Sequence, residues 1–151
     1  MMTLDEFKKK QSDKSRLLGL DLGSKRIGVS ICDEKQLIAT PFKTIIRSSA
    51  DELINEIKNL INENNIKGII VGNPLNMDGS SGRSAQSVKD TTENIEKNLD
   101  IPICLWDERL STVGAFNLSS QLDINVSKRE KKIDENAAAF ILQGALDFLN
   151  N

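Results

Sequence analysis

Leu17-Leu18-Gly19-Leu20-Asp21-Leu22 is the stretch on which the reading of this chain turns: an apolar run of strand length with one carboxylate inside it. Gly23-Ser24-Lys25-Arg26 follows as a turn, and Ile27 to Cys32 reads as a second strand. Asp33 to Gln36 makes another polar turn before a third strand from Leu37 to Pro41 with Phe42. Connections this short cannot carry a crossover to a parallel neighbour, so the three strands are expected to form an antiparallel meander.

Downstream the texture changes. Ser48 or Ser49 can cap a helix reaching Asn64, with Leu53, Ile57, Leu60 and Ile61 on one face. Lys67 to Gly72 is a buried strand, followed by a loop rich in Asn, Gly and Ser from Asn73 to Arg83. A helix over 84–99 leads to Pro102 and a fifth strand, Ile103 to Trp106. Ser111 begins a helix to Leu122, a basic loop covers Val126 to Lys132, and the last helix runs from Ile133 to Leu149. The order βββαβαβαα predicts an α/β fold: a mixed five-stranded sheet, antiparallel meander then parallel strands, with helices on both faces. Residues 1–15 read as a polar, lysine-rich arm or short helix, with a solvated tail the favoured form, and 16–151 as a single domain.

Composition narrows the chemistry. The 151 residues suffice for one core, and 38% apolar content with 20 basic against 22 acidic residues describes a folded, soluble protein. No apolar run approaches the roughly 20 residues of a membrane helix. The first 16 residues lack the apolar stretch of a signal peptide, so a cytoplasmic address is expected. Cys32 and Cys104 have no CxxC partner and read as buried thiols. Histidine is absent, which excludes Ser-His-Asp and Cys-His hydrolases and histidine-ligated zinc. A hard cation on oxygen ligands, Mg²⁺ or Mn²⁺, suits the remaining inventory. The net charge of −2 and pI near 5.3 disfavour a general nucleic-acid coat but leave room for a local basic patch.

Three carboxylate positions stand out, each with two readings. Asp21 lies in a strand that should be buried, where an unpaired charge would cost several kcal/mol; a cation could compensate it, or it could close the turn by accepting bonds from residues 23 and 24. Asp107 and Glu108 end the fifth strand, at the edge where ligands gather in open α/β sheets. They equally suit a helix N-terminus with Arg109 as partner. Asp134 heads the apolar stripe of Ala138, Ile141, Ala145 and Leu149 on the last helix, as a ligand or as a capping acid. If the three converge, they could hold two cations about 3.5–4 Å apart, the arrangement that cleaves phosphodiesters. Lys25 and Arg26, Arg83, and Lys128 to Lys132 add basic residues near these positions, either for phosphates or as solvated loops. The loop carrying Asn76 reads as a mobile segment that contacts substrate.

Four motifs then carry a resemblance. Gly19-Leu20-Asp21-Leu22-Gly23-Ser24-Lys25-Arg26-Ile27-Gly28-Val29 resembles the opening motif of the YqgF/RuvX family. Val71-Gly72-Asn73-Pro74-Leu75-Asn76-Met77-Asp78-Gly79 is similar to its second signature, and Asp107-Glu108-Arg109-Leu110-Ser111-Thr112 to its third. Lys132-Ile133-Asp134, with Ala137-Ala138 and Ile141-Leu142-Gln143, is similar to its fourth. Asn73, Ser111 and Glu135-Asn136 depart from the usual family residues, at positions that touch no expected ligand. The resemblance implies an RNase H-like fold and a divalent-metal endonuclease that processes the 5′ end of pre-16S rRNA in ribosome biogenesis. It implies Asp21, Glu108 and Asp134 as catalytic, metal-binding carboxylates for Mg²⁺ or Mn²⁺, two ions in number. Lys25, Arg26, Asn76, Arg83, Arg109 and Lys132 are the candidate substrate contacts. Expected partners are nucleic acid, an rRNA precursor or branched DNA, together with ribosome-assembly components. Two alternatives keep the nucleic acid: resolution of four-way DNA (Holliday) junctions, and RNA binding without cleavage by an assembly or transcription factor. An actin-like ATPase would need two such lobes, and the chain has room for one.

Overall fold

The computed structural model describes residues 2–10, 14–76, 78–107 and 126–150, with 126–133 described by backbone alone. Five strands form one sheet: β1 (Leu17–Leu22), β2 (Arg26–Cys32), β3 (Ala39–Ile46), β4 (Gly68–Asn73) and β5 (Ile103–Asp107). Their order is β3-β2-β1-β4-β5. β1 pairs antiparallel with β2, and β2 with β3; β1–β4 and β4–β5 are parallel. This is the expected RNase H-like mixed sheet.

Alternation along β1 sends its side chains to two different cores. Leu18, Leu20 and Leu22 join Ile27, Val29, Ile69 and Val71 under two helices, α2 (Ala50–Asn64) and α3 (Arg83–Lys97). Leu17 points the other way, toward Ile141, Leu142, Ala145 and Leu146 of the final helix α4 (Val126–Leu149). Helices therefore cover both faces, and each fully buried Leu or Ile contributes roughly 1.5–3 kcal/mol. Ser49 caps α2 as the sequence predicts, its Oγ accepting the Glu52 amide at 3.1 Å. Asn65 closes the helix in the left-handed region at φ 55°. No helix among the described residues is long and apolar enough to cross a membrane.

Three local expectations change. The third strand starts at Ala39 and runs to Ile46, not from Leu37 to Phe42. Asp33 explains the late start: its Oδ1 accepts the amides of Leu37 and Ile38, both at 2.8 Å, and holds them in the turn. A register shift opposite Val29/Ser30 then breaks the period-2 pattern that would have revealed the rest. The final helix begins at Val126, so the basic stretch expected as a loop is helical and Asp134 stands well inside the helix. Lys, Arg and Glu are good helix formers, and no Gly or Pro interrupts 126–133. The amino-terminal arm is not simply a solvated tail: α1 (Leu4–Lys10) buries Leu4 and fully buries Phe7, and Met2 bridges to Cys104. The helix expected at Ser111–Leu122 lies outside the described residues.

Cys32 and Cys104 are free, buried thiols in the α4-side core, as expected. Burial pushes Cys32 up from 9.0 to about 11 and Cys104 to about 12. A raised thiol leaves the unfolded chain with fewer protons in alkaline solution, so this stability is intact below pH 9.0 and lost as pH rises toward 11. Urea unfolding across that range should show the decline, and a Cys32→Ala/Cys104→Ala variant should show less of it. Neither thiol should react with iodoacetamide at neutral pH until the protein is unfolded.

Candidate active site

Asp21 occupies the position before last on β1, and its Cα partner across the antiparallel pair is Gly28. Paired residues share a face of the sheet, and alternation puts Asp21 on the side of Leu17, the α4 side. Gly28 is required there by what lies above it. A Cβ at Gly28 would collide with the backbone carbonyl of Asp134 on α4. One step along, a Cβ at Gly19 would strike Ser30 Oγ and come within 2.8 Å of Leu142 Cβ. Ser30 Oγ donates to the Ala138 carbonyl at 2.7 Å, fixing the helix at that approach. Backbone packed on backbone thus brings Asp134 over the register partner of Asp21.

The Asp134 side chain is held as well. Arg26 Nε donates to Asp134 Oδ2 at 2.7 Å, with the two side chains 33% and 18% exposed. Arg26, expected as a substrate contact, here spends its guanidinium on a candidate catalytic carboxylate. Thr44 Oγ1 donates to Glu135 Oε1 at 3.3 Å, tying the next residue of α4 to β3. Gln143 adds two bonds farther down, accepting the Ala39 amide at 2.8 Å and donating to the Leu37 carbonyl at 3.0 Å.

Asp107 ends β5 opposite Asn73 of β4, so both stand at the same end of the parallel strands as Asp21. Glu108 and Arg109 lie outside the described residues, and Lys132 is described only as part of the α4 backbone. Asn76 is exposed and bonds within its own loop: its Nδ2 donates to Ser80 Oγ at 3.1 Å, and its carbonyl accepts the Gly79 amide at 2.8 Å. Asp78 Oδ1 accepts both the amide and the hydroxyl of Ser80, at 2.9 and 2.6 Å. The loop after β4 is therefore folded on its own polar side chains.

Between the β1–β2 turn and α3 lies a cleft of about 400 Å³, lined among others by Asp21, Ser24, Arg47, Arg83, Ser84 and Ser87. Lys25 is exposed beside it, and Arg83 is exposed in the first turn of α3. Arg47 is a residue that sequence reasoning missed. Its amide donates to the Lys25 carbonyl and its Nη1 to the Gly23 carbonyl, both at 2.9 Å. Nothing in the sequence marks it, because it is one arginine between an apolar strand and a helix cap.

The donor chemistry fits a hard cation. Asp21 and Asp134 offer carboxylate oxygens on one side of the sheet end, and neither thiol nor imidazole competes there. Among the described residues, no group of three or more carboxylates or thiols is close enough to enclose an ion.

A mixed β3-β2-β1-β4-β5 sheet with a carboxylate at the end of its central strand β1 and another ending its edge strand β5 is the architecture of the RNase H-like class. Two solved structures share the fold: Thermus thermophilus RuvC in complex with Holliday junction substrate, and the yeast mitochondrial Holliday junction resolvase Ydc2. The first has a TM-score of 0.52 and 14% identity, covering 87% of this chain and 93% of that one. The second has a TM-score of 0.51 and 15% identity, covering 97% and 84%. The family model described as "RuvX: Holliday junction resolvase" matches residues 15–148. A Pelagibacter ubique protein named "Putative pre-16S rRNA nuclease" is 71% identical over the full length of both chains. A Chelativorans protein of the same name is 42% identical over 99% of this chain and 93% of its own. This chain belongs to the RuvX family.

Two substitutions test the geometry. Gly28→Ala should destabilise the protein by about 1–3 kcal/mol, because α4 must lift off β2, measured as a lower urea midpoint with an unchanged slope. Arg26→Gln should cost about 1–3 kcal/mol, since a partly buried carboxylate loses a charged hydrogen bond. Asp134→Asn should cost little more once Arg26 is gone, and additive losses would show that the two do not act as a pair.

Proposed function

We propose that this chain is a divalent-metal-dependent endonuclease that trims the 5′ end of the 16S rRNA precursor during ribosome biogenesis in the cytoplasm. The observation that carries the reading is the packing of Asp134 onto Gly28, the register partner of Asp21, in a chain of the RuvX family. The names of the relatives at 71% and 42% identity support the rRNA substrate.

In this reading Asp21, Asp134 and Glu108 would hold a pair of Mg²⁺ or Mn²⁺ ions. A bound pair of such ions supplies Lewis-acid activation of water and charge stabilisation at the phosphate. The chain's own residues prepare the site. Arg26 holds the Asp134 carboxylate in place through Oδ2. The α4 backbone keeps that carboxylate from drifting off the sheet. Lys25, exposed beside Asp21, and Arg83, at the mouth of the cleft, meet the phosphates of the strand, with Arg109, Lys132 and Asn76 completing the contacts. These contacts grip the backbone and not the base edges, so they position the strand without reading its sequence. Ribosome-assembly components are the partners that such a substrate implies.

The family description favours a second reading, cleavage of four-way DNA junctions by the same carboxylates. A labelled rRNA-precursor fragment and a four-way DNA junction, incubated side by side with Mg²⁺, Mn²⁺ or chelator, separate the two. We expect metal-dependent cutting of the RNA and a loss of at least about 10³-fold in Asp21→Asn with binding retained, the scale of removing a principal electrostatic contributor. Cutting of the junction alone would transfer the function to DNA. Binding without cutting of either substrate would make the protein an RNA-binding assembly factor. Full activity in Asp21→Asn would remove Asp21 from the site.

A further inference from the structure

The cleft beside Asp21 holds a cation that the carboxylate site does not account for. Arg47 is half-buried between the end of β3 and the start of α2. Among the described residues its side chain bonds only neutral oxygens: Nη1 donates to the Gly23 carbonyl and Nη2 to Thr91 Oγ1 on α3, both at 2.9 Å. A guanidinium carries five N–H donors, so two are spent on holding it still and three remain. Its charge is not cancelled by those partners, and its position is fixed from two elements at once.

The surroundings point the same way. Among the described residues, the cleft of about 400 Å³ is lined by two arginines, Arg47 and Arg83, the hydroxyls of Ser24, Ser84 and Ser87, and one carboxylate, Asp21. The first turn of α3 carries no acidic residue, and its cap residue Gly82 provides no side chain to occupy the free amides. Arg47 is anchored on the α2 and α3 side of the sheet, whereas Asp134 reaches the sheet end from the α4 side. Asp21 lies between them. A nucleic-acid strand cut at Asp21 and Asp134 would continue into this cleft.

We infer that the cleft binds a phosphate of the RNA strand adjacent to the one that is cut, with Arg47 as its fixed contact. The inference rests on the endonuclease reading above. Arg47 thereby has two tasks in one position: it braces the turn that follows Asp21, and it presents its remaining donors to the strand. A pre-placed fork pays little entropy on binding phosphate, which is the advantage of arginine over lysine here.

A binding cycle separates the phosphate contact from the brace. 2′-O-methyl RNA oligonucleotides carrying one neutral methylphosphonate linkage each, placed in turn along the strand, are titrated against protein with Mg²⁺ present. Asp21→Asn is used throughout so that no strand is cut, and Arg47→Met and Arg47→Lys are compared in that background after thermal melting has verified folding. At one linkage, neutralisation should weaken binding about tenfold when Arg47 is present. At the same linkage it should cost less than about twofold in Arg47→Met, with Arg47→Lys between them. If the losses multiply at every linkage in both variants, Arg47 is only a brace and the inference is overturned, while RNA binding and cleavage by the unsubstituted protein leave the endonuclease reading standing. If Arg47→Met does not fold, the Arg47→Lys cycle alone decides. If the unsubstituted protein neither binds nor cuts RNA, the endonuclease reading fails and takes this inference with it.

Discussion

The approach of α4 to the β1–β2 hairpin is the constraint on which the rest depends. It is made by the absence of side chains: Gly19 and Gly28 leave the sheet bare where the helix backbone passes, and Ala137, Ala138 and Ala145 thin the helix on its side. Ser30 turns that close contact into a bonded one through the Ala138 carbonyl. Interiors pack too densely to absorb an added methyl at such a point. The same contact that seals one core therefore fixes where Asp134 stands.

Charge is then managed locally. Asp134 is partly buried and would be costly without a partner, and Arg26 supplies one from the strand next to Asp21. Asp33 does similar work away from the site. The Ile38 amide, followed by those of Leu37 and Lys35, holds its carboxyl below the usual range and fastens the turn before β3. Among the described residues, Arg47 joins the turn after Asp21 to α3 through neutral acceptors, the Gly23 carbonyl and Thr91 Oγ1. At the end of the sheet Asp134 stands on the α4 side bonded to Arg26, while Arg47 and Arg83 line the cleft on the α3 side together with Asp21.

Where sequence reasoning went astray, a local pattern had been overruled. Ile38 and Leu37 look like strand residues, but a side-chain carboxylate claims their amides and the strand begins later. The lysine-rich stretch before Asp134 looks like a loop by composition, yet its residues favour helix and nothing stops the helix from starting at Val126. The arm at residues 1–15 is polar on average, but two apolar side chains, Leu4 and Phe7, suffice to dock its helix.

The sequence by itself determined the meander, the alternation of helix and strand that follows, the cap at Ser49 and the family to which the motifs belong. These are readable because they rest on short-range periodicity, turn chemistry and residues close together in the chain. Tertiary structure alone decided that Asp134 lies over Gly28, that Arg26 serves Asp134, and that Arg47 faces the cleft beside Asp21. Arg26 and Asp134 are 108 positions apart, and Arg47 and Thr91 are 44 apart. No local pattern encodes such pairs, because they arise only when helices pack on a finished sheet.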